Sequence, residues 1–417
     1  MNKPDVDPGT GLITYSWPEL KVKVVAEGYE TDGHTELSFF SGNGTDQVLL
    51  DQNTINLLSP RTKDAQARKL EKLRADIPWD DALTWITHLT MEIARQSEPP
   101  RPVGKKPETM KVEFQLLPIL ERNQPTTIYS PGGYAKSYLA AYIACLVQFN
   151  CKGITYLGKD WTPTPGNVLY LDWESSFRDH ARRVWAVKQG LGITTEETFE
   201  YLFCHQPLIA DVRNIQRLVI EKKISLVIID SQMAASGYGP DASQISSQFY
   251  NALRSLQCTT LSLDHVSKAE WGKMLDADSL GPYGSVVKFN RSRSQFEIKK
   301  SQTAGEDFIE LALIHRKHNE GRLLKPIGIR IEFHNNPDGE LGKVTFKACD
   351  MSDNPELSKV QTLKDRLTGI LAGGSISLKE LVETLDKPET TVRATLNRHK
   401  DTFVNLGKEW GLRTYDS

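Results

Sequence analysis

Residues Ser130 to Ser137, SPGGYAKS, place a lysine and a hydroxyl side by side just after two glycines. A loop of that composition suits phosphate. Its backbone N–H groups turn inward around phosphate oxygens, a lysine faces the β/γ charge, and a hydroxyl reaches a divalent metal. Gly132 and Gly133 permit the turn, Lys136 is the cation and Ser137 the Mg²⁺ ligand; Pro131, Tyr134 and Tyr138 complete the stretch expected to touch nucleotide. The pattern departs from G-x-x-x-x-G-K-[ST] at Ser130 and Ala135, where glycines are expected. Alanine is the smallest side chain that can stand before the lysine. Three further groups follow in order. Glu174 in NVLYLDWESS is a carboxylate able to polarise water for in-line attack on a γ-phosphate. Asp230 ends ISLVIID, a position from which a carboxylate holds Mg²⁺ through water, and His265 and Lys268 end TTLSLDHVSK, suited to sensing a γ-phosphate.

Such groups converge only if strands and helices bring them to one edge. From Thr126 to about Phe333, short apolar runs alternate with helix-length segments, which predicts a parallel sheet covered on both faces, with SQFEIKK, FIELALIHRKH and IGIRIEFH appended as antiparallel strands. In such sheets ligands bind outside the carboxyl ends of the strands, where Lys136, Glu174, Asp230 and His265 all fall. Upstream, Leu12 to Leu58 alternates in β fashion and DDALTWITHLTMEIARQ has amphipathic helical spacing. Ser97 to Glu108 is a proline-interrupted polar linker. The expected division is a β-rich α+β unit over residues 1–100, a linker at 101–110, an α/β core over 111–350, and a C-terminal module at 359–417.

Lys359 to Arg413 reads as three helices and a hairpin around Gly407, the order of a winged helix-turn-helix. The helix from about Glu389 to Lys400 carries Thr391, Arg393, Asn397, Arg398 and Lys400, and the hairpin carries Lys408 and Arg413, types that contact phosphates and base edges of DNA. Glu380, Glu383 and Glu389 lie close by and leave open the alternative, a protein-binding or packing role.

With 39% apolar and 25% charged residues the chain has an ordinary globular composition, and 417 residues suffice for two or three folding units. A net charge of −2 supplies no global attraction to nucleic acid, so any such binding must come from local patches. The N-terminus lacks the pattern of a secretory signal and no run of about eighteen apolar residues occurs, so a cytoplasmic location without membrane contact is expected. The five cysteines lack C-x-x-C spacing and read as small buried apolar residues.

SPGGYAKS, LYLDWESSFRDHARRV, LVIIDS, LSLDHVSK, GSVVKFNRSRSQFEI and HRKHNEG together resemble the RepA-like branch of RecA-fold ATPases, over roughly Lys111 to Phe333. The resemblance implies a RecA-like P-loop core, ATP and Mg²⁺ as ligands, a homo-oligomer in the form of a hexameric ring, and action on DNA of the replicative helicase kind. It implies Glu174 as the catalytic glutamate and Asp230 as the metal-assisting aspartate. Arg293 is the best match for an arginine that reaches a neighbouring subunit's γ-phosphate, with Arg291 as competitor, and Lys317 matches a basic position near the same interface. A DNA-stimulated, oligomeric ATPase is the first expectation, with Ala234 to Ser247 lining its channel. A nucleotide-gated DNA-binding adaptor that turns ATP over slowly is the second, because two glycines of the loop are missing.

Overall fold

The computed structural model describes the whole chain except residues 10–11, 30, 43–46, 96–103, 105–110, 266–285, 352–353, 359 and 414–417. Lys268 lies outside the described residues. The chain divides into two compact units, one holding residues 1–110 and 212–220, the other holding 111–211 and 221–417.

In the first unit five antiparallel strands run in sequence order from Asp5 to Asn56. Alternation decides which face is buried: Leu12–Trp17 and Val22–Glu27 bury every second residue, and Ile13, Tyr15, Val24, Ala26, Leu37 and Phe39 point into one core. Helices Pro60–Glu71 and Trp79–Arg95 contribute the other side of that core through Leu70, Trp79, Leu83 and Ile86.

The second unit is built on a nine-stranded sheet: β1 (Pro125–Ser130), β2 (Asn167–Asp172), β3 (Glu200–Phe203), β4 (Ile224–Asp230), β5 (Thr259–His265), β6 (Ser294–Ser301), β7 (Phe308–His318), β8 (Ile327–Asn335) and β9 (Leu341–Ala348). Their order is β3-β2-β4-β5-β1-β6-β7-β8-β9. The first six pair parallel and the last three are appended antiparallel. The parallel strands are buried with little alternation, as β1 and β4 illustrate, because both faces are covered. Between them in the chain come α1 (Lys136–Gln148), α2 (Phe177–Gly190), α3 (Leu208–Glu221), α4 (Gln232–Ser236), α5 (Ala242–Ser255) and α6 (Val286–Arg291), of which α3 belongs, over residues 212–220, to the first unit.

Helix α1 is buried continuously from Leu139 to Val147, so it is not amphipathic: the sheet lies on one side, and Tyr142 stacks on Phe346 of β9 with ring centres 4.0 Å apart. The end of α2 approaches β9 so closely that a Cβ on Gly190 would lie 1.8 Å from the Val344 carbonyl oxygen, which leaves no room for any other residue there. Wrapping the antiparallel strands back over α1 and α2 fixes the helix that follows the phosphate loop.

After the sheet come α7 (Pro355–Ser358), α8 (Leu363–Ala372), α9 (Leu378–Leu385) and α10 (Glu389–Arg398), with three short strands, Ile376–Ser377, Phe403–Asn405 and Glu409–Leu412. Ser377 and Glu380 form a reciprocal capping box at the start of α9. Leu367, Leu381, Leu385, Val392, Leu396, Phe403 and Trp410 make a separate small core. None of the five cysteines forms a disulfide: Cys145, Cys204 and Cys258 are buried as expected, whereas Cys151 and Cys349 are only half-buried.

Candidate functional site

Strand β1 ends at Ser130, and the loop that follows turns into α1 through Ala135, whose φ of 56° lies in the left-handed region. This is why glycine is the usual residue there: an L side chain in that conformation costs on the order of 1 kcal/mol. Gly133 takes φ 77°, and Gly132 has open space where a Cβ would stand. The other departure, Ser130, is fully buried, and both its carbonyl and its Oγ accept from the Lys136 ammonium at 3.0 Å. A third bond runs to the Pro131 carbonyl at 2.9 Å. The serine hydroxyl thus binds the lysine that the loop needs.

Lys136 is 6% exposed, and burial pulls its pKa down to about 8, against the opposing pull of Asp230, Glu174 and Asp264. A free protein that loses this proton above pH 8 must regain it to bind a polyphosphate. ATP affinity should therefore be constant below pH 7 and fall about tenfold by pH 9. Titration with a fluorescent ATP analogue at pH 7, 8 and 9 checks this; Lys136→Arg, which stays charged, should bind with a flatter profile.

The parallel pairing of β5 with β1 and of β4 with β5 sets the ends of three strands beside the loop. Asp230, the last residue of β4, is 4% exposed; its carboxyl is raised above the ordinary value by burial and stabilised as the anion by hydrogen bonds from Ser137 and from the Tyr170 hydroxyl at 2.8 Å. The next peptide, Asp230–Ser231, is cis. A hydroxyl and a carboxylate held together are the hard oxygen donors that Mg²⁺ prefers. His265 ends β5 with Nδ1 3.4 Å from the Lys136 Nζ and Nε2 3.5 Å from a Glu174 carboxylate oxygen. Glu174 also accepts from the Ser231 hydroxyl, and its pKa is held below the ordinary value chiefly by His265. It is ionised at neutral pH and faces the same cleft as Lys136.

Asp172 was not among the expected residues. Fully buried at the end of β2, it accepts the backbone N–H groups of Glu174 and Ser175, both at 2.9 Å, through Oδ1, and the Tyr201 hydroxyl at 3.3 Å through Oδ2. That turn aims Glu174. An aspartate bonding the backbone two and three residues on is a recognisable turn pattern, and LDWESS carried it.

Tyr134, Ala135, Lys136, Ser137, Tyr138, Glu174, Asp230 and His265 line one cavity of about 320 Å³, together with Arg183 of α2 and Ile309 and Phe333 of the antiparallel strands. Tyr138 meets Phe333 edge to face at 5.2 Å, and the Arg183 guanidinium lies over the Tyr138 ring at 5.4 Å. The volume and the mix of apolar walls and polar groups suit a nucleotide.

Arg293 is elsewhere. Its N–H donates to the Pro125 carbonyl, at the opposite end of β1 from Ser130. Six extended residues separate the ends by about 17 Å, so Arg293 cannot reach its own loop. Lys317 is also outside the cleft: its ammonium donates to the carbonyls of Phe289 (2.6 Å), Asn290 (3.0 Å) and Ser292 (2.7 Å). Expected near the same interface as Arg293, it clamps the backbone that leads to Arg293, and three carbonyls take its three protons. Thr391, Arg393, Asn397, Arg398, Lys400 and Lys408 are exposed on α10 and the turn beyond it, and Arg393 is shared with Glu389.

An AAA domain model matches residues 106–270. Among solved structures, a KaiC-like protein from the hyperthermophilic archaeon Pyrococcus horikoshii OT3 is similar at 13% identity and a TM-score of 0.35, over 54% of this chain and 90% of that one. No curated protein matches the chain. Residues 106–270 are thus similar to an AAA domain, and in the sheet one strand stands between the phosphate-loop strand and the strand ending in Asp230.

Proposed function

We propose that this chain is an ATP-hydrolysing motor that assembles as a homo-oligomeric ring and acts on DNA. The observation that carries the reading is the separation of Arg293 from the cleft holding Lys136, Ser137, Asp230, Glu174 and His265: each chain has a nearly complete nucleotide site and an arginine that only another chain's site can use. The loop amides, Lys136, Tyr134 and Tyr138 bind the polyphosphate and nucleoside. Ser137 and Asp230 would hold Mg²⁺, which when bound would neutralise β/γ charge. Glu174 orients the attacking water by accepting its hydrogen bond; with its pKa held low, it positions more than it deprotonates. His265 touches both Lys136 and Glu174, so it registers whether a γ-phosphate lies between them.

The three-helix module at 359–417, a winged helix in this reading, presents Arg393, Asn397, Arg398, Lys400 and Lys408 to duplex DNA. Removing it should weaken duplex binding and flatten the salt dependence by about 0.9 in slope for every phosphate no longer neutralised, with ATP binding unchanged. Equal affinity and equal slope in the truncated protein would assign the module to another partner.

The motor reading is tested by ATP hydrolysis with and without single-stranded DNA, alongside solution mass with and without ATP. Stimulated hydrolysis and an ATP-dependent gain in mass are expected. ATP-gated DNA binding without appreciable turnover would support the adaptor alternative, which Ala135 at a left-handed position favours, since strain in the loop opposes its tightest closure around phosphate.

A further inference from the structure

We infer that the buried Asp264–Lys288 ion pair is a positioning device that ties the state of a subunit's own nucleotide site to the arginine segment it offers to its neighbour; this rests on the motor reading. Asp264 is fully buried and immediately precedes His265. Its Oδ1 accepts the N–H of His265 at 2.9 Å, and its Oδ2 accepts from the Lys288 ammonium at 3.0 Å. Lys288, itself 6% exposed, sits in the short helix α6.

A pair this buried is poor material for mere stability, because desolvating both charges consumes most of what their attraction returns. Breaking it is another matter: either charge left alone in that interior is strongly unfavourable, so the two ends move together or not at all. At one end is a histidine touching Lys136 and Glu174. At the other is a helix whose exit is rigidly held. Gln295, fully buried, donates to the carbonyls of Lys288 and Phe289 at 3.2 and 3.4 Å, and Lys317 grips three carbonyls of the same turn. Arg291 and Arg293 leave from that clamped turn, half-buried, with no acidic partner among the described residues. Arg254 of α5 adds a third guanidinium: Arg254 donates to the Arg291 carbonyl at 3.4 Å, and its pKa is lowered by burial and then by Arg291 and Arg293. Three cations crowded without an acid form a site for an anion such as a phosphate oxygen. A displacement of His265 therefore reaches this cluster through one hydrogen bond, one ion pair and one short helix, a contiguous physical path.

The test uses the full-length double variant Asp264→Asn/Lys288→Gln, which keeps the shapes and a neutral hydrogen bond while removing both charges, so no lone charge is left buried. It should fold, shown by an unchanged circular dichroism spectrum, and should bind the ATP analogue within about threefold of the parent. Its hydrolysis should fall tenfold or more. Mixed with Glu174→Gln subunits it should regain activity, as Arg293→Ala should in the same assay, because its own cleft is intact and the Glu174→Gln neighbour supplies a correctly placed arginine. Should the double variant not fold, Asp264→Asn/Lys288→Met, which likewise leaves no lone charge buried, is put through the same mixing. Unchanged hydrolysis, or lost hydrolysis that exchanging Glu174→Gln subunits do not rescue, overturns the coupling. If Arg293→Ala with Glu174→Gln also fails to recover, the shared-site reading beneath it falls as well, and the two failures are told apart by that control.

Discussion

Lys136→Ala is expected to weaken ATP binding at least a hundredfold and to leave the protein folded. The side chain makes charge-assisted bonds inside a water-poor cleft, where each is worth about 1.5–3 kcal/mol, so losing two opposite phosphate exceeds two decades in affinity. The fold should tolerate the change because the lysine's partners are loop oxygens, the Ser130 carbonyl and hydroxyl and the Pro131 carbonyl, while α1 is anchored by the buried run from Leu139 to Val147. Removing a largely desolvated cation can even raise the melting temperature slightly. Calorimetric titration with ATP and Mg²⁺, with thermal unfolding of the same samples, decides the matter: unimpaired affinity in a folded variant would remove the phosphate assignment from this loop.

Glu174→Gln should leave nucleotide binding within a few-fold and slow hydrolysis by a factor of about a hundred to ten thousand, the range of a positioned general base. The amide retains an oxygen for the Ser231 hydroxyl, so the geometry held by Asp172 and Ser231 should persist. What is lost is the negative charge that accepts the water's hydrogen bond and orients it. Because His265 keeps the Glu174 carboxyl below its usual pKa, the parent enzyme should show little acid inactivation through this group above pH 5; its contribution is present above that pKa and disappears as pH falls through it. Single-turnover hydrolysis is the appropriate measurement, since it isolates chemistry from product release. A variant hydrolysing at the parent rate would transfer the water-orienting role to another residue lining the cleft.

The chemistry was readable in the sequence where it depends on local order. Apolar runs of strand length, each followed by a helix, place their carboxyl ends at one edge, so the sequence alone groups Lys136, Ser137, Glu174, Asp230 and His265. The glycine deficit at Ser130 and Ala135 was equally plain, but its meaning was not: only the folded loop reveals that Ser130 binds the lysine and that Ala135 carries a positive φ. Asp172 stood in view beside Glu174, yet its role needs both of its oxygens to be seen occupied.

What the sequence determined by itself was the kind and order of the elements and the residue types at their ends, because these follow from periodicity and from short-range turn chemistry. What only the tertiary structure decided was partnership across large separations. Phe333 and Ile309 join the cleft because β7 and β8 fold back over α1; Lys317 clamps the turn at Phe289–Ser292, and Lys288 finds Asp264, through pairings that span more than twenty residues. Sheet register and helix packing set such pairings, and neither is encoded in the residues immediately around Lys317 or Lys288. A lone lysine in a sequence is therefore a charge of known type with an unknown address, and the address here is backbone carbonyl for Lys317 and buried carboxylate for Lys288.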